Sequence, residues 1–262
     1  MNAGERLARH GLALPTGHTL VSLAERPDLV GPFSHHNGAV WPEFMFHDAV
    51  ADPLWAALDR QLGAFQLVLL EADGAIAAGC NSAPIAWDAT DAGLPAGWDA
   101  QFQASVDQHT AGVAPTALGA LQIVVRPERH GTGLATLMIA AMRAMAKAEG
   151  LRWLIACVRP TEKHRHPRVP IDEYARWTRD DGLPMDPWIR VHLRVGGRLI
   201  RGAPESMRIE GTVAEWRDWT GLPFLATGEY LIDFAAAPVA IDLEADRGVY
   251  LDPNVWIVHE AG

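Results

Sequence analysis

The fold of this chain is decided by the stretch Val125-Arg126-Pro127-Glu128-Arg129-His130-Gly131-Thr132-Gly133-Leu134-Ala135. A continuous apolar strand is predicted over residues 120–125, directly before the turn. The clearest helix of the chain is predicted over residues 132–149, because its apolar side chains recur on one side at helical spacing. Residues 153–158 are typical of a second buried strand. The unit strand–turn–helix–strand predicts a right-handed crossover between two parallel strands.

The two glycines make this turn a candidate anion site. Backbone N–H groups at the start of a helix lack partners within the helix, and the helix dipole adds positive potential. Gly131 and Gly133 let the backbone approach a phosphate or diphosphate closely. The alternative, on these residues alone, is a tight turn in which glycine serves the backbone geometry only.

Two well-known phosphate loops can be tested against the same residues. The nucleotide P-loop ends in Gly-Lys-Ser/Thr, whereas Leu134 and Ala135 follow Gly133 here, so that loop is excluded. The dinucleotide fingerprint has a third glycine where Thr136 stands, and an acidic residue at the end of the next strand, where this chain has Arg159. A dinucleotide site is therefore only a remote alternative.

The segment resembles motif A of the GNAT superfamily of acyl-CoA-dependent N-acyltransferases. That motif has Val-x-Pro, then Gln/Arg-x-x-Gly-x-Gly/Ala, then a long helix. Val125, Pro127, Gly133 and Ala135 match it, while His130 departs from it at the Gln/Arg position. The resemblance is specific over residues 121–158 and continues weakly to residue 199.

The resemblance implies a site for acetyl-CoA, or coenzyme A, as cosubstrate. In the family, backbone N–H groups of the turn hold the CoA diphosphate, and the preceding strand pairs with the pantetheine arm. That strand splays from the next one and opens a slot for the thioester, which an amine attacks directly. The cofactor-binding residues implied for this chain are Ile123, Val124, Val125, His130, Gly131, Thr132, Gly133, Leu134 and Ala135.

The resemblance also suggests where an acid and a base would lie. The family's tyrosine acid corresponds to His192, which precedes the pair Gly196-Gly197, and a histidine could protonate a thiolate near neutral pH. Tyr174, on the neighbouring predicted helix, is a competing acid. A helix-terminal histidine that satisfies a backbone carbonyl is the structural alternative for His192.

The base is open. The strand position that the family often uses falls near Gln122, and a glutamine cannot usefully accept the proton. Glu43 and Asp88 lie in regions that flank the acceptor site in the family, and His35 and His36 are further candidates. Each of them alone could be purely structural, and ordered water could carry the proton instead.

Other polar patterns have weaker functional interpretations. The only basic cluster, residues 159–168, is an insertion relative to the family. It could form a lid that contacts CoA phosphates or an acidic acceptor group, or it could be a solvated loop. His164 and His166 alternate with Arg165, so no metal site is expected. His47 and Asp52 have the spacing of a lipid acyltransferase motif, but Pro53 follows, so Asp52 is interpreted as a helix N-cap.

Four tryptophans are candidate walls of the acceptor pocket: Trp41, Trp87, Trp177 and Trp188.

Composition limits the class of protein. The formal net charge is −10, which argues against nucleic acid as a general partner. Cys80 and Cys157 are far apart in apolar surroundings, so buried reduced thiols and a cytoplasmic location are expected. The sequence has no uninterrupted apolar run of about 20 residues, so no membrane partner is expected.

These patterns predict an α/β protein with a mixed, twisted sheet, helices on both faces and a strand-rich C-terminal extension. We expect one elaborated domain, in which residues 1–64 resemble the family poorly, 65–200 form the acyl-CoA-binding core and 201–262 form the extension. The expected function is transfer of an acyl group, by default acetyl, from CoA to an amine of a small molecule. The alternative is a non-catalytic acyl-CoA sensor. Pairing of the tail strands suggests a possible homodimer.

The remaining elements follow from local pattern. Further strands are predicted over residues 65–71 and 75–83 as a hairpin, from residue 198 onward, and in the tail from residue 230. Further helices are predicted over residues 52–62, 95–107, 171–179 and 187–195.

Overall fold

Within residues 2–38 and 41–262, which this computed structural model describes, the chain forms a nine-stranded mixed sheet with helices on both faces. The strands are β1 (Thr19–Ser22), β2 (Leu67–Leu70), β3 (Ile76–Ile85), β4 (Ala117–Val125), β5 (Trp153–Val158), β6 (Arg198–Gly211), β7 (Gly228–Tyr230), β8 (Val239–Asp242) and β9 (Arg247–Glu260). The α-helices are α1 (Ala3–Ala8), α2 (Val30–Gly38), α3 (Asp52–Gln61), α4 (Trp98–Thr110), α5 (Leu134–Ala148), α6 (Ile171–Tyr174), α7 (Pro187–Arg194) and α8 (Val213–Thr220).

The predicted crossover unit lies at the centre of the sheet. Strands β4 and β5 are parallel, and α5 connects them. The strand order is β1-β2-β3-β4-β5-β9-β8-β7, with β6 on the other edge of β9. Apart from β4 and β5, the neighbouring strands are antiparallel.

The two faces of the sheet carry different helices because side chains alternate along each strand. On one side, which we call the α5 face, α1, α5 and α7 pack against residues such as Leu118 and Leu154. The α6 helix extends this face over Ala156 and Val158. On the opposite side, the α4 face, α3 and α4 cover residues such as Cys157. The expectation of helices on both faces is confirmed.

Strand β9 changes the expected division of the chain. Its second half pairs with β5, and its first half pairs with β8, while β6 runs along its other edge. A separate cluster around Phe44, Trp216 and Tyr250 joins the tail to the segment before α3. Residues 201–262 are therefore not a simple extension, because β9 is an interior strand of the core sheet.

Several local predictions need correction. The helix predicted over residues 171–179 ends at Tyr174, and α8 was not predicted although Thr212 and Glu215 form a capping box. Asp52 is not the N-cap of α3: the carboxylate of Asp48 instead accepts the N–H groups of Val50 and Ala51 at 2.9 and 3.0 Å.

The longest helices are short compared with a bilayer. Helix α5 has 15 residues. Across the described part of the chain, no helix is long and apolar enough to cross a membrane.

Candidate active site

The glycine turn has the geometry that an anion site needs. Gly131 and Gly133 have φ angles of 76° and 88°, in the left-handed region, and Gly133 is the N-cap of α5. A Cβ atom at either position would meet no atom within 4 Å. Among the described residues, no acceptor binds the backbone N–H groups of Gly131, Gly133, Leu134, Ala135 or Thr136. The start of α5 therefore presents several free donors to solvent.

Side chains of the turn and of the residue after β2 hold this conformation. The carboxylate that follows β2, Glu71, accepts hydrogen bonds from Arg129 and Arg126. The bond from Arg129 is the main reason that the pKa of Glu71 is lowered. His130 turns back so that its Nε2 lies 3.0 Å from the carbonyl oxygen of Val125, and Thr132 Oγ1 donates to the carbonyl of Arg129. The departure from the family pattern at His130 thus serves the turn itself.

Next to the turn, β4 and β5 separate. They pair only from Ala117 with Trp153 to Ala120 with Ala156, whereas β4 continues to Val125 without β5. Between Ala120 and Gln122 the register of β4 against β3 shifts, which makes Leu121 a bulge. We call the opening between the strands beyond this point the splay.

Helix α4 fixes the start of the splay. Trp98 Nε1 donates to the carbonyl of Leu121 at 2.7 Å, and Gln101 Nε2 donates to the carbonyl of Ala120 at 2.9 Å. On the α5 face, Ile123 and Val125 pack against the core. The β5-facing edge of residues 121–125 is consequently left for another partner.

The structure argues against His192 as the acid. Its side chain is buried, and its Nδ1 lies 2.9 Å from Nε2 of His259 in β9. Burial, with a contribution from His259, lowers the pKa of His192 to about 3. A histidine that stays neutral at pH 7 is a poor proton donor to a thiolate. The partner of its Nδ1 is thus His259 and not a backbone carbonyl.

Tyr174 is also committed to an internal partner. Its hydroxyl donates to Asp186 Oδ2 at 3.0 Å, at the N-cap of α7. Burial and the charge of Asp186 raise the pKa of Tyr174 far above its usual value. The tyrosine therefore links α6 to α7, and its position does not favour proton transfer.

The predicted carboxylate bases lie away from the splay. Asp88 follows β3 at the end where Ile85 pairs with Ala117, which is the end of β4 opposite to the glycine turn. Hydrogen bonds from Thr90 lower the pKa of Asp88. Glu43 is exposed and lies 3.1 Å from His47, whose ring stacks on Trp219 of α8. The structure does not bring Glu43 and Asp88 together with the turn.

Of the predicted bases, His36 is the one near the end of β4. It lies on α2, one helical turn after Phe33, which packs over Gly79 beside Val124. Burial, and then the charge of Arg126, lower the pKa of His36, so its neutral form is favoured. Its buried Nε2 has no hydrogen-bond partner among the described residues. His35 is exposed.

Two cations of the basic segment, Arg159 and Lys163, are held by partners inside the protein, so this part of the segment forms neither a lid nor a solvated loop. Arg159 Nε donates to Asp252 at 2.9 Å, and its guanidinium lies 5.7 Å from the centre of the Trp41 ring. Lys163 is buried and donates to the carbonyl oxygens of His166, Pro167 and Ala236. These contacts attach the segment after β5 to the C-terminal part of the chain.

A group of polar residues on the α4 face was not predicted. It consists of Asp48, Asp99, Asp252 and Ser206, near Cys157 on β5. Ser206 Oγ accepts the Trp98 N–H at 2.8 Å and lies 3.2 Å from Cys157 Sγ. Sequence pattern gives no signal for this group, because its members come from four separate elements.

The four candidate wall tryptophans do not share one site. Trp41 lies near Arg159, and Trp87 packs edge-on against Trp153 at the far end of β5. Trp177 and Trp188 pack on the α5 face with α6 and α7. Of the four, only Trp41 lies next to the polar group on the α4 face.

Comparison with known proteins gives one curated relative. The chain is 34% identical, over an alignment of 289 residues, to the arginine N-acetyltransferase avaD of Aspergillus versicolor, and the match covers 98% of this chain and 99% of that protein. No protein-family model matches the chain.

Two solved structures share the fold at low sequence identity. The loading GNATL domain of CurA from Lyngbya majuscula has a TM-score of 0.59 at 14% identity, covering 93% of this chain and 98% of that one. The GNAT-like decarboxylase GphF, solved in complex with isobutyryl-CoA, has a TM-score of 0.54 at 18% identity, covering 94% and 99%.

Proposed function

The chain belongs to the GNAT superfamily and is an acyl-CoA-dependent N-acetyltransferase, and from this premise we propose that arginine is the amine it acetylates. The observation that carries the proposal is the arrangement around the splay. The free N–H groups of the glycine turn lie at one end of it, and buried carboxylates lie beside it on the α4 face. An anionic cosubstrate and a cationic acceptor would find complementary charge on the two sides.

For the cosubstrate, we assign the diphosphate to the turn formed by residues 130–135. Unpaired N–H groups and the dipole of α5 favour a dianionic group there. The pantetheine arm would run along Ile123, Val124 and Val125, where β4 lacks its partner strand. Amide groups of the arm could replace the missing strand pairing.

The reaction forms a C–N bond and breaks a C–S bond. The acceptor's amino nitrogen attacks the thioester carbonyl carbon, the CoA thiolate leaves, and that amino nitrogen loses a proton, while the guanidinium keeps its charge. We propose His36 as the acceptor of that proton through ordered water, because its lowered pKa favours the neutral form and its Nε2 has no hydrogen-bond partner among the described residues. The thiolate needs little help from an acid, since an ordinary thiol has a pKa of about 8.5.

The test is thiol release from acetyl-CoA with a panel of amines. We expect arginine to give the highest kcat/KM, above lysine and above primary amines that carry no second charged group. Mass spectrometry should detect a monoacetylated product. Turnover that favours a neutral amine would refute the choice of arginine. Calorimetric binding of CoA with no amine-dependent thiol release would favour the non-catalytic sensor instead.

The location and assembly of the protein stay predictions. Cys80 and Cys157 are buried, and burial raises the pKa of both thiols to about 12, which is consistent with unreactive, reduced cysteines. This supports a cytoplasmic location as a proposal. A homodimer is a further proposal that size-exclusion chromatography with light scattering would test.

A further inference from the structure

Two aspartates meet on the α4 face beside the splay. Asp48 precedes α3 and is 1% exposed, and its Oδ1 accepts two backbone N–H groups. Asp99 lies in the first turn of α4, and its Oδ2 accepts the N–H of Arg208 at 2.9 Å. Each carboxylate thus has one oxygen satisfied by the backbone, and the two carboxyl groups lie within hydrogen-bonding reach of each other.

The second oxygen of each aspartate lacks a donor. Asp48 Oδ2 and Asp99 Oδ1 are buried, and no group in the described part of the chain donates to either of them. Asp252 of β9 adds a third negative charge nearby, but Arg159 already pairs with it. Two facing carboxylates, one of them fully buried, are costly unless they share a proton or hold a cation. Burial, and then the charge of Asp48, raise the pKa of Asp99 well above its usual value.

The position of the pair connects it to the reaction. Asp99 follows Trp98, whose backbone N–H and indole N–H bond to Ser206 and to the bulged carbonyl of Leu121. Ser206 in turn touches Cys157, the first residue of β5 beyond its last pairing with β4. The pair therefore lies beside the opening where the acceptor must approach the thioester.

We propose that Asp48 and Asp99 bind the guanidinium group of the acceptor, an inference that rests on the proposed function. A guanidinium is planar and carries five N–H donors, so it can bridge two carboxylates that each offer a free oxygen. Its charge would replace the proton that the raised pKa of Asp99 keeps on that carboxyl. Asp48 is fully buried and Asp99 is partly exposed, so the cation would reach the pair from the side of Asp99.

The first test compares arginine with citrulline, which has the same length but a neutral ureido group. We expect the wild-type ratio of kcat/KM for arginine over citrulline to fall at least about 100-fold in Asp48→Asn and Asp99→Asn, mainly through KM for arginine. Asparagine keeps an acceptor oxygen for the backbone N–H groups. Glu205→Gln, an exposed neighbour on β6, is the matched control and should leave the ratio unchanged.

The second test needs no turnover. Arginine binding to the CoA-bound protein at pH 7 should release about one proton, measured by calorimetry in buffers of different ionisation enthalpy, and Asp99→Asn should abolish the release. If either variant fails to fold, the wild-type proton count still decides: no release at pH 7 would contradict a protonated Asp99 whose proton the guanidinium displaces.

The two hypotheses fail differently. If the wild type acetylates arginine but both asparagine variants keep its preference over citrulline, the aspartate site is wrong and the proposed function stands. If the wild type acetylates no guanidinium compound, the proposed function and the site fall together.

Discussion

Two glycines at opposite ends of α5 have the same backbone conformation but different surroundings in the chain. Gly133 precedes the helix with a φ of 88°, and Gly150 follows it with a φ of 72°. At both positions a Cβ would meet open space, so a side chain adds strain of about 1 kcal/mol but no clash. Only Gly133 lies among the free N–H groups of the turn.

We predict that Gly133→Asp lowers the affinity for CoA at least about 100-fold, because a carboxylate would compete for the N–H groups and repel the diphosphate. Gly150→Asp should cost similar stability and leave the affinity within about threefold. Isothermal titration with CoA measures both. Equal loss of affinity in the two variants would mean that the effect comes from strain in α5 rather than from the turn.

For single residues, the sequence predicts those whose role depends on their neighbours in the chain. Glycine beside a helix start is a local requirement, so the turn at Gly131 and Gly133 could be predicted. Asp48 and Asp99 could not, because their meeting depends on how α3 and α4 pack. A motif position suggests His192 as an acid, but its burial, with the charge of His259 67 residues away as a second cause, lowers its pKa.

The contact between α7 and β9 contains a buried histidine pair with consequences for pH. Burial is the main cause that lowers the pKa of His192 to about 3 and that of His259 to about 4. In the unfolded chain both would titrate near 6.5. Between these values the unfolded state binds more protons, so the free energy of unfolding falls as the pH drops from about 6.5 towards 4.

We therefore expect His192→Asn to reduce the fall in the free energy of unfolding at low pH. At pH 5 one such histidine costs the folded state about 2 kcal/mol relative to neutral pH, and the variant should lack that share. Urea unfolding at pH 7.5 and 5 measures it. His109→Asn, at the exposed end of α4, is the control and should follow the wild type. If the His192 variant also follows the wild type, the pair does not titrate as described.

Long elements were predicted better than short ones. The periodic pattern of α5 and the apolar runs of β4 and β5 are strong signals, because each buries a whole face or strand. Helices α6 and α8 are short, and their limits depend on tertiary contacts. The Thr212–Glu215 capping box was nevertheless a readable sign of α8.

Across the whole molecule, β9 joins the tail cluster to the acyl-CoA core. We predict that Trp216→Ala, in a fully buried position, costs about 3–5 kcal/mol. The control Trp219→Ala, at a partly exposed position on the same helix, should cost less stability than Trp216→Ala.

Because β9 pairs with both β5 and β8, thermal unfolding should stay a single transition in which CoA binding and tail structure are lost together.

Two separate transitions in calorimetry, with CoA raising only one of them, would show that the tail is an independent domain. The boundary expected at residue 201 came from the end of the family resemblance. Strand-rich composition indicates how many strands a segment holds, but it does not indicate that one of them returns to the centre of the sheet.

That return also sets an order in time. β9 is the last strand in the sequence, yet it lies between β5 and β6 in the finished sheet. During synthesis, the outer edge of β5 stays unpaired until β9, which begins about 90 residues later, has been made. Such long-range strand pairing is slow. We expect the nascent chain to expose that apolar edge of β5 until β9 has been synthesised.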